Sequence, residues 1–323
     1  MGRTRLDTDR IRAAHEVIDP RFLDSPCYPV ADLESALGCP VSIKLETANP
    51  VGSFKARGTE VVARGLSDKG SRAVVCASAG NMGHALAWSG RTRGVDVTVV
   101  ASRHAPSRKL SRIRALGADL CLVDDDFDIA REHAATIARQ RGIRLLEDSQ
   151  DIETCEGAAT IGLELAESGA SFDTVLVALG GGALAAGIGH VMKELAPHVQ
   201  VIGVQPVGAC AMAQSWRQRR VVTTDSTDTI ADGVASRRPI PAVLDDLLAV
   251  LDDVITVAES SIITGIATLF SLAGLVVEPS AALGIAAIAE NRSRFAHRNV
   301  VTVICGNNID SESFAKWVTT ARW

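Results

Sequence analysis

Long hydrophobic runs, paired cysteines, surplus basic charge and the short signatures of nucleotide, metal and hydrolase sites are all missing from this 323-residue chain. Each absence removes a class of function. The longest nearly apolar stretch, Ile262 to Val277, is shorter than the ~20 residues that span a bilayer. It is interrupted by Thr and Gly and stops at Glu278-Pro279, so it reads as a buried helix. The opening MGRTRLDTDRIRAAHEV has no apolar core of signal-peptide length, and Leu6 stands where a myristoylation motif requires Ser or Thr. Cys27, Cys39, Cys76, Cys121, Cys155, Cys210 and Cys305 occur singly with no C-x-x-C, the pattern of reduced, mostly buried thiols in a cytoplasmic protein. A formal net charge of -5 offers no general attraction to nucleic acid or to an anionic membrane. The expected partners are a small molecule and other copies of the chain.

The seven histidines show no H-x-x-x-H and no Cys/His pairing, so no metal site is expected and each reads as an ordinary surface or core residue. There is no G-x-S-x-G elbow and no G-x-x-x-x-G-K-[ST] loop. The acidic run VDDDFD, 123 to 128, lacks the spacing and glycine of a calcium loop. It reads as a solvated strand-to-helix turn with an aspartate capping the next helix.

What is present is an alternation. The short β-branched runs PVSIKLE, RAVVCAS, VDVTVVA, ADLCLV, TVLVALG, VQVIGVQ and NVVTVICG are separated by longer segments of helical period, several ending at glycine as helix C-caps do. Near-continuous apolar strands belong to parallel sheets covered on both faces. The chain is therefore predicted to be α/β with open, doubly wound sheets, and long enough for two packed lobes with no low-complexity linker between them.

In such folds ligands sit where strands hand over to helices. Four strand ends here carry unusual residues: ASAGNMGH, ALGGGALAAG, GVQP and CGNNID. The run Gly180-Gly181-Gly182-Ala183-Leu184 would leave backbone N–H groups bare at a helix N-terminus, a ready anion site, although a tight turn with close helix packing would use the same glycines. A dinucleotide fingerprint is disfavoured, because its third glycine is Ala185 and Gln205 replaces the acid expected ~20 residues on. In NPVGSFKARG, 49 to 58, Lys55 lies just inside a predicted helix start, the least favourable place on the macrodipole for a cation. A phosphate cradle without nucleotide or metal, together with a misplaced lysine, points to pyridoxal 5'-phosphate. That cofactor needs a lysine for its Schiff base, a phosphate nest and a partner for its ring nitrogen.

NPVGSFKARG, SAGNMGHALA, GGGALAAG, TIADGVA, VVEPSAA and CGNNID, in this order between about Ser25 and about Asp310, resemble the serine/threonine dehydratase group of the fold type II (tryptophan-synthase-β-like) pyridoxal phosphate enzymes. Each motif alone is weak; together in register they are specific. The resemblance implies two open, mostly parallel twisted sheets with helices on both faces. It implies a larger cofactor-binding domain from 1–65 and 150–323, a smaller mobile domain from 66–149, and a homodimer. Lys55 would carry the cofactor, with Phe54 beside the ring, and Gly180, Gly181, Gly182, Ala183 and Leu184 would hold the 5'-phosphate. Asn81 would bond the 3'-oxygen, and Ser78, Ala79, Gly80 and Asn81 would receive the substrate carboxylate. Cys305 would face the pyridine nitrogen. A neutral thiol cannot enforce a protonated pyridinium, so prompt expulsion of a β-leaving group is favoured over transamination.

The implied activity is an ammonia-lyase, a dehydratase of amino-acid metabolism: Lys55 removes the Cα proton of a 3-hydroxy amino acid, the hydroxyl leaves as water, and a 2-oxo acid and ammonia result. A helix N-terminus disfavours an ammonium and so keeps the freed amine reactive. β-Replacement of the cysteine-synthase type and a non-catalytic binding module remain alternatives. Departures from the family pattern are informative. Ala79 lacks the proton a racemase serine would give from the second face. Gln205 and Ala211 stand where metal-dependent relatives ligate a cation. Met82, Asn307 and the segment EDSQD, 147 to 151, replace family residues expected to line the substrate side, which leaves room for a bulkier or more polar 3-hydroxy amino acid than threonine or serine. The chain ends soon after CGNNID, so no isoleucine-binding regulatory domain is expected.

Overall fold

The computed structural model describes residues 4–124 and 127–320. Its strands are β1 (Cys27–Pro29), β2 (Val41–Leu45), β3 (Ala73–Ala77), β4 (Asp96–Ser102), β5 (Asp119–Val123), β6 (Arg144–Leu146), β7 (Thr174–Ala178), β8 (Gln200–Pro206), β9 (Asp253–Val257) and β10 (Val300–Ile304). Its helices are α1 (Thr8–Val17), α2 (Ala31–Leu37), α3 (Lys55–Asp68), α4 (Asn81–Arg93), α5 (Ser107–Ala115), α6 (Phe127–Arg141), α7 (Ile152–Glu167), α8 (Ala183–Leu195), α9 (Ala211–Gln218), α10 (Pro241–Val250), α11 (Glu259–Ala273), α12 (Leu283–Glu290), α13 (Arg292–Phe295) and α14 (Ser311–Thr320).

The strands form a six-stranded sheet, β1-β2-β10-β7-β8-β9, and a four-stranded sheet, β5-β4-β3-β6. Neighbours run parallel throughout except β1, which is antiparallel to β2. The predicted α/β class and its two mostly parallel sheets are therefore found. Every residue of β10 is buried, as expected for a central strand of Val, Thr and Ile with helices on both sides. Parallel register sets the C-terminal ends of these strands level: Ile304 pairs with Leu45, and Ala178 with Val204. That alignment brings Cys305 and the glycine turn after β7 to one edge. The start of α3 is tied to the same edge by the Phe54 amide, which donates to the Cys305 carbonyl at 3.1 Å.

Helices α3 and α7 cross almost backbone to backbone. A Cβ on Gly157 would lie 2.5 Å from the Gly58 Cα, and one on Gly58 would lie 2.8 Å from the Thr154 Cα. Both positions need glycine for approach, not for φ.

Each of the apolar runs forms a strand. The unanticipated strands are edges: β1 and β6 have three residues each, and β9 opens on an aspartate. The segment Ile262 to Val277 departs from the expected buried helix. Helix α11 starts earlier and ends at Gly274, whose φ of 66° closes it in the left-handed region. Residues 274–278 continue as irregular chain, and Phe270 and Val276 are 42% and 46% exposed. The aspartate expected to cap the helix after 123 to 128 lies outside the described residues.

Candidate active site

A cleft of about 730 Å³ opens where the C-terminal ends of the two sheets face each other. It is lined by Phe54 and Lys55, by residues 78–81 and 180–184, and by Cys305, so the residues expected to hold the cofactor and the substrate carboxylate are brought to one cavity, with Met82, Glu147 and Asp148 beside them.

Lys55 is the first residue of α3, directly after Phe54. Its ammonium lies 4.7 Å from the centroid of the Phe54 ring and is bonded to the Asp148 carboxylate. Asp148 follows β6, in the stretch that departs from the family pattern. Ser149, beside it, holds φ +66°, an uncommon conformation for a residue other than glycine. Its amide donates to Thr154 Oγ1 at 3.0 Å, and its Oγ accepts from the Ala183 amide at 3.2 Å. Two residues beyond Lys55, Arg57 is completely buried. It donates to both oxygens of Glu46 at 2.8 Å, to Thr160 Oγ1 at 3.0 Å and to Glu164. Lys44 pairs with Glu164 Oε2, the oxygen that Arg57 Nη2 also reaches at 3.0 Å. This buried quartet clamps the start of α3 to β2 and α7.

The glycine turn has the character of an anion cradle. Gly182, at φ +110°, precedes α8, whose first amides have no intrahelical acceptor by geometry. A Cβ on Gly181 would meet the Ser149 Oγ at 2.7 Å, and one on Gly180 would meet the Val234 Cα at 3.0 Å, so both positions need glycine for the close approach of the surrounding chain. Cys305 is buried, and burial followed by the nearby Glu278 carboxyl pushes its thiol well above the ordinary range, so it stays neutral. An amine at the cleft wall, an open amide turn and a neutral buried thiol fit pyridoxal 5'-phosphate.

Residues 78–81 do form the entry to α4, with Gly80 at the cap. The Asn81 side chain is held by protein groups: its Nδ2 donates to the Glu278 oxygens at 2.9 and 3.0 Å, and its Oδ1 accepts from Asn308 Nδ2 at 2.7 Å. Asn308 also donates its amide to Glu278 at 3.1 Å and its Nδ2 to the Val51 carbonyl at 2.9 Å. Glu278 was visible in VVEPSAA but served there only as a helix stop; Asp148 and Asn308 carried no signal beyond their departure from, or place in, a motif. Asn307 needs correction. It does not line the cleft; its amide donates to the Gly52 carbonyl at 2.9 Å, and its side chain packs where a Gly52 Cβ would be. Gln205 is buried with Oε1 accepting from the Ala213 amide at 2.8 Å, which leaves an N–H donor, a poor cation ligand, at that position. His15, Asp24 and Glu164 do come together, but Glu164 is already neutralised by Arg57 and Lys44.

Burial raises the Glu278 carboxyl from 4.5 to about 7, against the lowering pull of the Asn81 hydrogen bond. Its folded value lies above its unfolded one, so the stability it contributes is complete below about pH 4.5 and is lost as pH rises through about 7. The shift corresponds to on the order of 3 kcal/mol. Glu278→Gln cannot titrate and is expected to gain on the native chain by about that amount between about pH 5 and about pH 8. Thermal melts of both proteins at the two pH values check this, and a constant gap between them would refute the assignment.

The pyridoxal-phosphate dependent enzyme family matches this chain over residues 18–306. The chain is 33% identical over 279 residues to L-threonine ammonia-lyase of Thermotoga maritima, covering 86% of this chain and 69% of that one. It is 32% identical over 301 residues to the mitochondrial threonine dehydratase of Schizosaccharomyces pombe, covering 89% of this chain but 49% of that one. Among solved structures, maize serine racemase is similar with a TM-score of 0.90 at 27% identity, and 96% of each chain is covered. Among the described residues no helix is long and apolar enough to cross a membrane. With its two sheets and its lysine-bearing cleft, the chain belongs to the pyridoxal-phosphate dependent enzyme family, in the fold type II threonine/serine dehydratase-like group of lyases that act on small amino acids.

Proposed function

We propose that this chain is an ammonia-lyase that holds pyridoxal 5'-phosphate on Lys55 and eliminates the β-hydroxyl of a small 3-hydroxy amino acid, giving a 2-oxo acid and ammonia. The observation that carries the proposal is the convergence of Lys55, the glycine turn and the neutral Cys305 on one cleft. The names of the Thermotoga and maize relatives, an L-threonine ammonia-lyase and a serine racemase, support a β-hydroxy substrate.

The cofactor supplies an electron sink next to the substrate Cα. The glycine turn and the head of α8, where Ser149 Oγ takes the Ala183 amide, would hold its phosphate, and the N-terminus of α4 would receive the substrate carboxylate. Lys55 takes the Cα proton onto its amine, and Asp148 stands beside the ammonium that results. A neutral Cys305 thiol would offer the ring nitrogen no proton-enforcing partner, a setting that would suit loss of a β-group. Glu278 and Asn308 fix Asn81 at the head of α4, between the two sheets. Ala79 has no proton to deliver, so racemisation is not supported.

The test is to incubate the purified protein with stereoisomers of serine, threonine, 3-phenylserine and 3-hydroxyaspartate. Ammonia and 2-oxo acid are expected in equal amounts from at least one of them. A nucleophile-dependent adduct in place of the 2-oxo acid would instead identify β-replacement.

A further inference from the structure

We infer that Asp148 selects the substrate by the charge of its β-substituent, admitting a hydrogen-bond donor and rejecting a second carboxylate. The inference rests on the proposed elimination and narrows its substrates to small 3-hydroxy amino acids without an anionic side chain.

Asp148 is presented to the cleft by a braced loop. On one side the Glu147 amide donates to Asp151 Oδ2 at 2.6 Å, and on the other the Ser149 amide is fixed by Thr154. Its Oδ2 bonds to Lys55, while its Oδ1 is buried with no hydrogen-bond partner among the described residues. The other cations around the mouth are also paired: Arg131 holds Glu147 at 2.6 Å, Lys109 pairs with Asp232, and Arg237 and Arg238 share Asp128. Asp148 thus differs from the other acids of the cleft in having as its partner the one amine that the cofactor takes.

Lys55 reaches only Oδ2, so Oδ1 is left without a donor of its own. That oxygen is buried, where a polar atom without a hydrogen-bond partner is costly. With the substrate carboxylate at the head of α4 and its amine on the cofactor, the β-substituent is the part left to meet Asp148. A hydroxyl donates to it. A carboxylate meets a like charge, with the neighbouring Arg131 already engaged, and like-charge juxtaposition is an effective means of exclusion.

L-asparagine and L-aspartate test this directly, because they share one shape, differ in charge and carry no leaving group at Cβ. Their dissociation constants for the holoenzyme are measured by calorimetry for the native chain, Asp148→Asn and Asp148→Ala. The native enzyme is expected to prefer asparagine, and both variants to narrow the asparagine-to-aspartate ratio by about tenfold or more. Ammonia release from 3-hydroxyaspartate should rise relative to serine in step. An unchanged binding ratio in both variants, in a protein that still releases ammonia from serine or threonine, overturns the role of Asp148 and leaves the elimination intact. A ratio that narrows in a protein that releases ammonia from no 3-hydroxy amino acid supports Asp148 and sinks the elimination.

Discussion

Lys55→Ala is expected to lower ammonia release by about 10⁴-fold or more while the protein stays folded. Two functions are lost in one substitution: the covalent seat of the cofactor and the base that takes the Cα proton, the latter alone worth roughly 10²–10⁴-fold. Such losses are not additive, so the figure is a lower bound on the pair, not a partition. The fold should tolerate the change because the Lys55 side chain is 16% exposed and its Asp148 partner 34% exposed, and such partly solvated pairs contribute little to stability. Absorbance of the holoenzyme should lose the band of the lysine-bound cofactor, and the melting temperature should move by no more than about 2 °C. Lys55→Arg separates charge from chemistry: it keeps a cation for Asp148 but cannot form the linkage. A Lys55→Ala protein that turns over substrate at a near-native rate would end the proposal.

The fold and the broad site were legible because the signals were local. Alternating apolar runs report strands buried on both faces, and β10, with all its residues buried, is the clearest of them. A lysine at a helix start and a glycine run after a strand are visible within a few residues. What was not legible depends on pairing across distant segments. Asp148 and Lys55 are 93 positions apart, and Asn81 and Glu278 are 197 apart, so no window of sequence holds both members. Asn307 misled for a related reason. Its place in CGNNID put it next to the site along the chain, while its packing against the left-handed Gly52 turn keeps it off the cleft wall. The edge strands β1 and β6 were missed because three residues carry no periodicity.

Arg57→Met is expected to destabilise the fold by about 3–5 kcal/mol, the usual cost of removing one partner from a buried ion cluster. In the native chain two cations, Arg57 and Lys44, face two carboxylates, Glu46 and Glu164, all of them buried or nearly so. Burial opposes the guanidinium charge, but the attraction of Glu46 and Glu164 outweighs it and holds Arg57 above its ordinary range. Against burial, Arg57 and Lys44 in turn hold Glu164 below the usual carboxylate range. Methionine fills much of the same volume but leaves one cation against two carboxylates, and Glu46 keeps only the Ser25 hydroxyl and local groups. At roughly 2–4 °C per kcal/mol for domains of this size, the melting temperature should fall by about 10 °C. Arg57→Lys should recover only part of the loss, since an ammonium cannot make the paired bonds to both Glu46 oxygens. Adding Glu164→Gln to Arg57→Met removes the surplus negative charge and should restore some of the stability, a coupling that a simple packing defect would not show. The clamp sits two residues beyond Lys55, so cofactor affinity should fall along with stability. A drop of less than about 2 °C in Arg57→Met would mean that the quartet is held by its surroundings rather than holding them.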